Sequence, residues 1–443
     1  MSVALAFDNI FVILFLVGTV GGSALEELLS FINYRSRRKK GNKVPKELYG
    51  YVDSALLKKT CAYRDELYAL SVPEHFLSLL LSLVLAFSGA YVFAAHFFFV
   101  LTGSIYLTAI GFLFAVSLPP LLLSIPFDLY RVFHIEEKYG FSTITLPLWI
   151  ADGVKSLLLS VLLSVPLVCI AVFLLLRVSD WWWLLLGVVY VAFSLLFSFV
   201  YPVLIAPLFN KFSPLESRDL QERLERLLVR TGFSSKGIFV MDASRRSRHS
   251  NAYFTGFGKN KRVVLYDTLL EKLSVGEVEG VLAHELGHYR LHHIAMRLMV
   301  MIPLVFAVLF ALSVFVKMPS LYRGFGFTPE LSAVVTDGVV EEQVLPYIWF
   351  VGIFLAGLVF GGFSLLFSLV ANIFSRRHEF EADRYSGELC GTSRPLITAL
   401  IKLNKENLAE VSPPKIYSLF YYSHPPLLER IKALEELDSR LQG

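Results

Sequence analysis

The sequence has 443 residues, of which 55% are hydrophobic, 14% aromatic and only 18% charged, and its mean hydropathy is +0.60. Soluble domains carry roughly 25% charged residues, so most of this chain is expected to lie in lipid. The net charge of +4 is too small for a nucleic-acid-binding protein, which needs a dense basic face. Cys61, Cys169 and Cys390 have no paired spacing, which excludes a disulfide framework.

About seven apolar runs are long enough to cross a bilayer, whose core of about 30 Å needs about 20 helical residues. These predicted spans are residues 10–25, 76–93, 105–125, 157–176, 183–205, 296–316 and 347–370. They divide the chain into a five-span region (1–205), a polar segment (206–295), a two-span region with an outer loop (296–372) and a C-terminal helical segment (373–443). The predicted fold class is an all-α integral membrane protein with a smaller α+β domain in its polar part.

The basic residues predict how the spans are oriented. Lysines and arginines crowd the first loop, residues 35–46. By the positive-inside rule this loop is cytosolic and the N-terminus lies outside. Alternation along the chain then brings residues 127–156, 206–295 and the tail after 372 to the cytosolic side, and the loop 317–346 to the outside.

The polar segment 206–295 has the pattern of a soluble α+β domain. A charged helix is expected at 217–231, followed by β-rich runs at 252–257 and 262–266 whose short connection predicts a hairpin. Ser274 and Glu277 have the spacing of a capping box, which predicts a helix that continues through residue 286.

This capped helix carries the motif His284-Glu285-Leu286-Gly287-His288. Four helical residues turn through about 400°, so the two imidazoles lie about 40° apart on one face and can share one metal ion. Glu285, one position further on, can reach a water without ligating the metal. A zinc-activated water and a neighbouring carboxylate base provide hydrolysis without a serine or cysteine nucleophile.

A third metal ligand is expected downstream, in the helical run 375–383. Glu379 and Asp383 are four residues apart, so the first can ligate while the second hydrogen-bonds the distal nitrogen of a ligating histidine. Two spans separate this run from the histidine motif, and an even number returns the chain to the same membrane face. The alternative for Glu379 is an ion pair with Arg376 or a neighbouring arginine. Solvated positions are expected for His292, His293, His378 and Glu381.

These motifs carry a family resemblance. The pattern of His284, Glu285, His288, Glu379 and Asp383 resembles that of the gluzincin metallopeptidases. Three further runs are similar to the seven-span CAAX prenyl endopeptidases: HSNAYFTGF at 249–257, IEEKYGF at 135–141 and YSHPPLLER at 422–430.

The resemblance implies a helical barrel around a water-filled chamber, with one zinc ion per chain at its cytosolic end. It further implies cleavage of C-terminally lipidated substrates near a prenylated Cys-a-a-X motif, in the endoplasmic reticulum membrane of a eukaryote or the plasma membrane of a bacterium. The implied roles are zinc ligation by His284, His288 and Glu379, general base catalysis by Glu285, support of a ligand by Asp383, substrate backbone binding by Asn251 and Ala252, oxyanion stabilisation by His424, and placement of His424 by Arg430. From the sequence alone, a turn-forming role for His424 remains equally open.

Three other functions remain open. A quality-control protease of broader specificity shares the metal motifs. A site-2-type intramembrane protease embeds the motif in an apolar span, whereas charged residues flank it here, and Asp152-Gly153 is a weak match to that family's third ligand. A transporter or scaffold with structural zinc is disfavoured because such sites are usually closed by four protein ligands.

Overall fold

The structure is a computed structural model that describes residues 7–178, 180–233, 235, 237–255, 261–327 and 348–441. Most of the predicted outer loop and the connection within the predicted hairpin lie outside these ranges. Six helices among the described residues are long and apolar enough to cross a membrane, and a bent pair of helices provides a seventh span. The prediction of about seven spans in a helical membrane protein is therefore confirmed.

In chain order the candidate spans are Ile10–Lys40, Ser54–Phe87, Ile105–Tyr139, Leu146–Arg177, Trp182–Phe209, His293–Phe315 and the pair Trp349–Gly361 with Ser364–Cys390. Three of them contain a π-helical segment, at Val17–Gly21, Arg131–Glu136 and Tyr201–Ile205. Each π segment adds a residue to the local turn and so changes which side chains face a neighbouring helix.

Two predicted spans differ from the structure. The second was expected at 76–93, but its helix ends at Phe87 and a separate helix, Ala90–Thr102, follows. Gly89 separates the two helices in a left-handed conformation (φ 80°), which glycine adopts without strain. The seventh, expected as a single span at 347–370, is divided into two helices that bend by 68° between Gly361 and Ser364.

The bend in the seventh span lies against the backbone of the first. A Cβ atom on Gly362 would be 2.3 Å from the carbonyl carbon of Gly18, and one on Gly22 would be 2.4 Å from the carbonyl oxygen of Gly362. Two helices can approach this closely only where side chains are missing. The first span therefore supports the bend through direct backbone contact.

The spans are packed loosely. In four of the candidate spans only 6% of the residues in the most apolar window are buried. A solid bundle would bury one face of every helix. Low burial is expected of helices that expose much of their surface to lipid.

The polar segment forms the expected α+β unit, with helix Arg218–Arg230 and helix Val275–Arg290 packed on a four-stranded sheet. The strands are β1 (Phe212–Pro214), β2 (Ile238–Met241), β3 (Ala252–Thr255) and β4 (Arg262–Tyr266), in the order β1-β2-β4-β3. β3 and β4 pair antiparallel, with Ala252 opposite Leu265 and Thr255 opposite Arg262. β2 runs parallel to β4 and antiparallel to β1.

Helix Val275–Arg290 is called the motif helix because it carries the His-Glu-x-x-His sequence. Its predicted capping box is present, with Glu277 Oε2 accepting from the Ser274 backbone nitrogen at 2.7 Å. The second half of the seventh span, Ser364–Cys390, is called the ligand helix and packs along the motif helix. The other helices in the described part of the C-terminal segment are Arg394–Glu406, Lys415–Tyr421 and Leu427–Leu441. Short α-helices lie at Asp267–Lys272 and Pro319–Arg323, and short 3-10 helices at Lys46–Leu48 and Ala243–Arg245.

The basic first loop and the peptidase segments meet at the same end of the molecule. Arg37 pairs with Asp65 and with Glu410, which precedes the C-terminal helices. Arg246 donates two hydrogen bonds, of 2.7 and 3.1 Å, to Asp152 on the fourth span. At the opposite end, Asn9 donates to the Ser320 carbonyl at 2.7 Å.

Candidate active site

A glycine in the histidine motif allows the motif and ligand helices to touch. A Cβ atom on Gly287 would lie 2.9 Å from Ala382 Cα, which is closer than van der Waals contact. The same two helices are also joined where Ser386 Oγ donates to the Gly280 carbonyl at 2.9 Å. This close approach brings the histidines of one helix to the carboxylates of the other.

Three expected metal ligands converge between these helices. His284 Nε2 and His288 Nε2 are 3.3 Å apart, and they lie 3.5 Å and 3.3 Å from the two Glu379 carboxylate oxygens. Zinc bonds to nitrogen or oxygen are about 2.1 Å long, so neighbouring ligands of a tetrahedral ion are about 3.4 Å apart. The distance between the two histidine nitrogens, and the distance from each nitrogen to its nearer Glu379 oxygen, are therefore of the size expected around one small cation.

The chemistry of Glu379 also fits a cation. Its side chain is only 4% exposed, and its Oε2 atom has no hydrogen bond from any residue that the structure describes. A buried carboxylate oxygen without a donor is costly unless a positive charge faces it. Arg376, the alternative partner from sequence, pairs with Glu429 at 2.7 Å.

Glu285 lies among the charged groups of this cluster. Burial raises the pKa of its carboxyl, while His284 and His288 act in the opposite direction without cancelling the rise. A carboxylate whose pKa is raised toward neutral is a better proton acceptor for a reaction near pH 7.

Asp383 lies behind His284, as its spacing from Glu379 predicts. Its Oδ1 atom is 2.8 Å from His284 Nδ1, the nitrogen that faces away from Glu379. Burial acts to lower the pKa of His284, but the Asp383 and Glu379 carboxylates outweigh it and raise that pKa to about 9. The arrangement orients the ring so that Nε2 points at the cluster.

Arg430 contacts Asp383 at the back of the cluster. Its guanidinium donates two hydrogen bonds to Asp383, of 2.8 and 2.6 Å, and one further nitrogen lies 3.9 Å from Glu379. Both Arg430 and Asp383 are buried, so the arginine neutralises the charge that supports His284. The sequence spacing of 47 residues gives no signal for this pair.

His424 reaches the rim of the cluster. Its Nδ1 atom is 2.7 Å from Glu379 Oε2, although not in line for a hydrogen bond, and its side chain is 63% exposed. It precedes Pro425 and Pro426 ahead of the last helix, which restricts its backbone while the ring faces solvent.

Asn251 and Ala252 lie at the start of β3, the edge strand of the sheet. Asn251 is exposed, and its side-chain oxygen accepts from the Ala252 backbone nitrogen at 2.8 Å. Among the strands that the structure describes, β3 pairs only with β4, so its other edge is available for main-chain contacts.

Several expected positions differ in the structure. His292 is exposed as expected, but His293 is only 4% exposed, and Glu381 is half-buried in contact with it. The chain turns sharply at His292, whose left-handed backbone (φ 57°) folds the next helix back toward the motif helix. Asp152, the alternative third ligand, is fully engaged by Arg246.

A membrane-spanning helical region, a His-Glu-x-x-His helix and a downstream glutamate together define an integral-membrane metallopeptidase. A family model described as peptidase family M48 matches residues 214–438, and one described as CAAX prenyl protease N-terminal, five membrane helices, matches residues 33–211. The chain belongs to peptidase family M48, among the CAAX prenyl proteases.

Named relatives and a solved structure agree with this assignment. CAAX prenyl protease 1 homolog of Arabidopsis thaliana is 34% identical over 412 residues, covering 90% of this chain and 91% of the relative. CAAX prenyl protease 1 of Saccharomyces cerevisiae is 36% identical over 332 residues, covering 72% and 70%. The crystal structure of S. mikatae Ste24p superimposes with a TM-score of 0.85 at 29% identity, covering 96% of this chain and 99% of that one.

Proposed function

We propose that this protein is a zinc endopeptidase that removes the last three residues of prenylated CAAX proteins at the cytosolic face of a membrane. The observation that carries the proposal is the convergence of His284, His288 and Glu379 within 4.8 Å of one another beside the half-buried Glu285. One zinc ion per chain would be held by these three residues. Bound there, zinc would act as a Lewis acid toward water and the scissile carbonyl.

The proposed roles of the protein's own groups follow from their positions. Glu285 removes a proton from the attacking water and delivers it to the leaving amine. His424, exposed at the rim, turns from Glu379 toward the substrate and donates to the oxyanion. Asp383 fixes His284, and Arg430 keeps Asp383 ionised.

Substrate is proposed to bind along β3. A peptide in extended conformation can pair with the free edge of this strand beginning at Asn251, so that main-chain hydrogen bonds hold it beside the cluster. The prenylated substrate class is taken from the names of the relatives, which are CAAX prenyl proteases. The loosely packed spans offer an apolar environment for the lipid.

The cytosolic orientation of the site is proposed from charge. The basic loop 35–46 and the peptidase segments lie at one end of the molecule, as the contact between Arg37 and Glu410 indicates. Positively charged loops remain on the cytosolic side. The membrane would be the endoplasmic reticulum in a eukaryote and the plasma membrane in a bacterium.

The experiment is a comparison of two peptides with the purified full-length protein in detergent. A farnesylated CAAX peptide is expected to be cleaved and its unlipidated twin to be cleaved much more slowly. Equal rates would reject the requirement for a lipid and would favour a quality-control protease of broader specificity.

Two variants test the chemistry. Glu285→Gln should retain zinc, because Glu285 is not one of the three proposed ligands. It should lose hydrolysis, because an amide cannot accept the proton from water. Glu279→Gln, on the same helix and partly exposed, is the matched control and should keep both. Hydrolysis by Glu285→Gln, or wild-type protein that binds no zinc, would overturn the proposed function.

A further inference from the structure

A second histidine cluster lies directly behind the candidate metal site. It consists of His293, His378 and Glu381, whose ligand atoms are within 4.8 Å of one another. His293 is 4% exposed and begins the sixth span, one residue after the left-handed turn at His292. A non-glycine residue in that conformation costs roughly 1 kcal/mol, so the surrounding contacts must hold the turn.

The cluster is connected to the metal ligand His288. His293 Nδ1 is 2.9 Å from His288 Nδ1, and His293 Nε2 is 3.1 Å from Glu381 Oε2. The other oxygen of Glu381 accepts from Arg377 Nε at 3.0 Å. A continuous chain of polar contacts therefore runs from His288 through His293 and Glu381 to Arg377.

The proton positions along this row of polar contacts follow if a metal binds His288 through Nε2. His288 Nε2 faces His284 and Glu379, so a metal there binds Nε2 and leaves the ring proton on Nδ1. That proton can only be donated to His293 Nδ1. A neutral imidazole has one donor and one acceptor, so His293 carries its own proton on Nε2 and donates it to Glu381. One arrangement satisfies every group.

We infer that His293 is a positioning residue for the metal ligand His288, held in turn by Glu381. The inference rests on the proposed metal site. His284 has the Asp383 carboxylate 2.8 Å from its Nδ1 atom, whereas His288 has His293 at 2.9 Å and then the Glu381 carboxylate, so each candidate ligand ring has a separate polar group behind it. His378 stacks on His293 with ring centroids 4.1 Å apart and planes 6° apart, which keeps the His293 ring in this orientation.

The same three residues could instead hold a second metal ion, and the geometry argues against it. A metal bonded to an imidazole lies close to the plane of the ring. The His293 and His378 rings are parallel and stacked, so no single point lies in both planes. Moreover, His293 Nε2 already faces Glu381 at hydrogen-bond distance.

The test measures zinc affinity of the purified full-length protein by competition with a chromophoric chelator, together with zinc content. His293→Phe keeps a ring but removes the acceptor, and we expect zinc affinity to fall about 10- to 100-fold. His293→Asn can place an oxygen near the former Nδ1 position and should recover much of the loss. Glu381→Gln, which leaves the histidines in place, should cause a smaller loss in the same direction.

His378→Phe is the matched control, because it preserves the stack and removes only the ring nitrogens. One zinc ion per chain and near-wild-type affinity are expected. Unchanged zinc affinity in both His293→Phe and Glu381→Gln would overturn the inference and leave the proposed function intact. Two zinc ions per wild-type chain, reduced to one in His378→Phe, would also overturn it. A lower melting temperature of metal-free His293→Phe without recovery of zinc affinity in His293→Asn would assign a structural role instead.

Discussion

Substitution of Gly362 by alanine tests whether the bend in the seventh span sets the position of a metal ligand. Gly362 has an ordinary helical backbone (φ −63°), so alanine introduces no backbone strain there. The added Cβ would lie 2.3 Å from the carbonyl carbon of Gly18 and 2.5 Å from the nitrogen of Thr19. Both atoms belong to backbone and cannot move aside as a side chain can.

The expected magnitude follows from these distances. Ordinary contact begins near 3.4 Å, so the first and seventh spans must separate by roughly 1 Å. Overpacking of this kind costs about 1–3 kcal/mol. Glu379 is 17 residues further along, about 25 Å at 1.5 Å per residue, so a tilt of about 3° at the bend moves it by roughly 1 Å. Metal ligands tolerate about 0.2 Å, so zinc affinity should fall as well.

The assay compares melting temperature and zinc affinity of Gly362→Ala with those of Gly361→Ala. Gly361 has no atom within 4 Å of the position of its Cβ, so the control adds the same methyl group without a clash. The control should be neutral or slightly stabilising, since alanine favours helix over glycine by up to about 1 kcal/mol. Equal melting temperature and zinc affinity for the two variants would refute the reasoning.

Three further predictions concern the site and its support. Asp383→Asn should weaken zinc binding about 10- to 100-fold in chelator competition, whereas Glu388→Gln, exposed on the same helix, should leave it unchanged; similar affinities would contradict the role of Asp383. Glu277→Gln weakens both the capping box and the 2.7 Å contact with Lys402. Its free energy of unfolding, measured by thermal melting, should be about 1 kcal/mol lower than that of the control Glu388→Gln. The pKa of His284 is raised to about 9 in the metal-free protein, so the ring is protonated below that pH and must lose the proton to bind zinc. Zinc affinity measured between pH 7 and 8 should therefore rise with pH by about tenfold per unit or more, and a flat profile would contradict this.

Local patterns in the sequence predicted most of the architecture. Hydropathy located the spans, because a bilayer demands long apolar helices. The i,i+4 spacing of His284 and His288 and the capping box at Ser274 act within one or two helical turns, so they could be read directly. The even number of intervening spans predicted that Glu379 returns to the membrane face of the histidines, whereas the close approach of the two helices at Gly287 was not predicted.

The bend of a helix axis, and contacts between residues far apart in the sequence, could not be predicted from local patterns. Hydropathy reports composition, so it cannot show that the chain bends by 68° after Gly361. Strands β1 and β2 have three and four residues, too few for a clear alternating pattern. The burial of His293 depends on the left-handed backbone at His292. The position of Arg430 depends on its pairing with Asp383, 47 residues earlier in the chain.

The two halves of the metal site flank a pair of membrane spans, and this order has a consequence for biosynthesis. His284 and His288 are translated before the sixth span, and Glu379 only after the first half of the seventh. A nascent chain that ends before the second half of the seventh span contains both histidines but lacks the candidate carboxylate ligand. All three candidate ligands therefore exist in one polypeptide only late in synthesis, and a chain terminated before Glu379 cannot assemble the site.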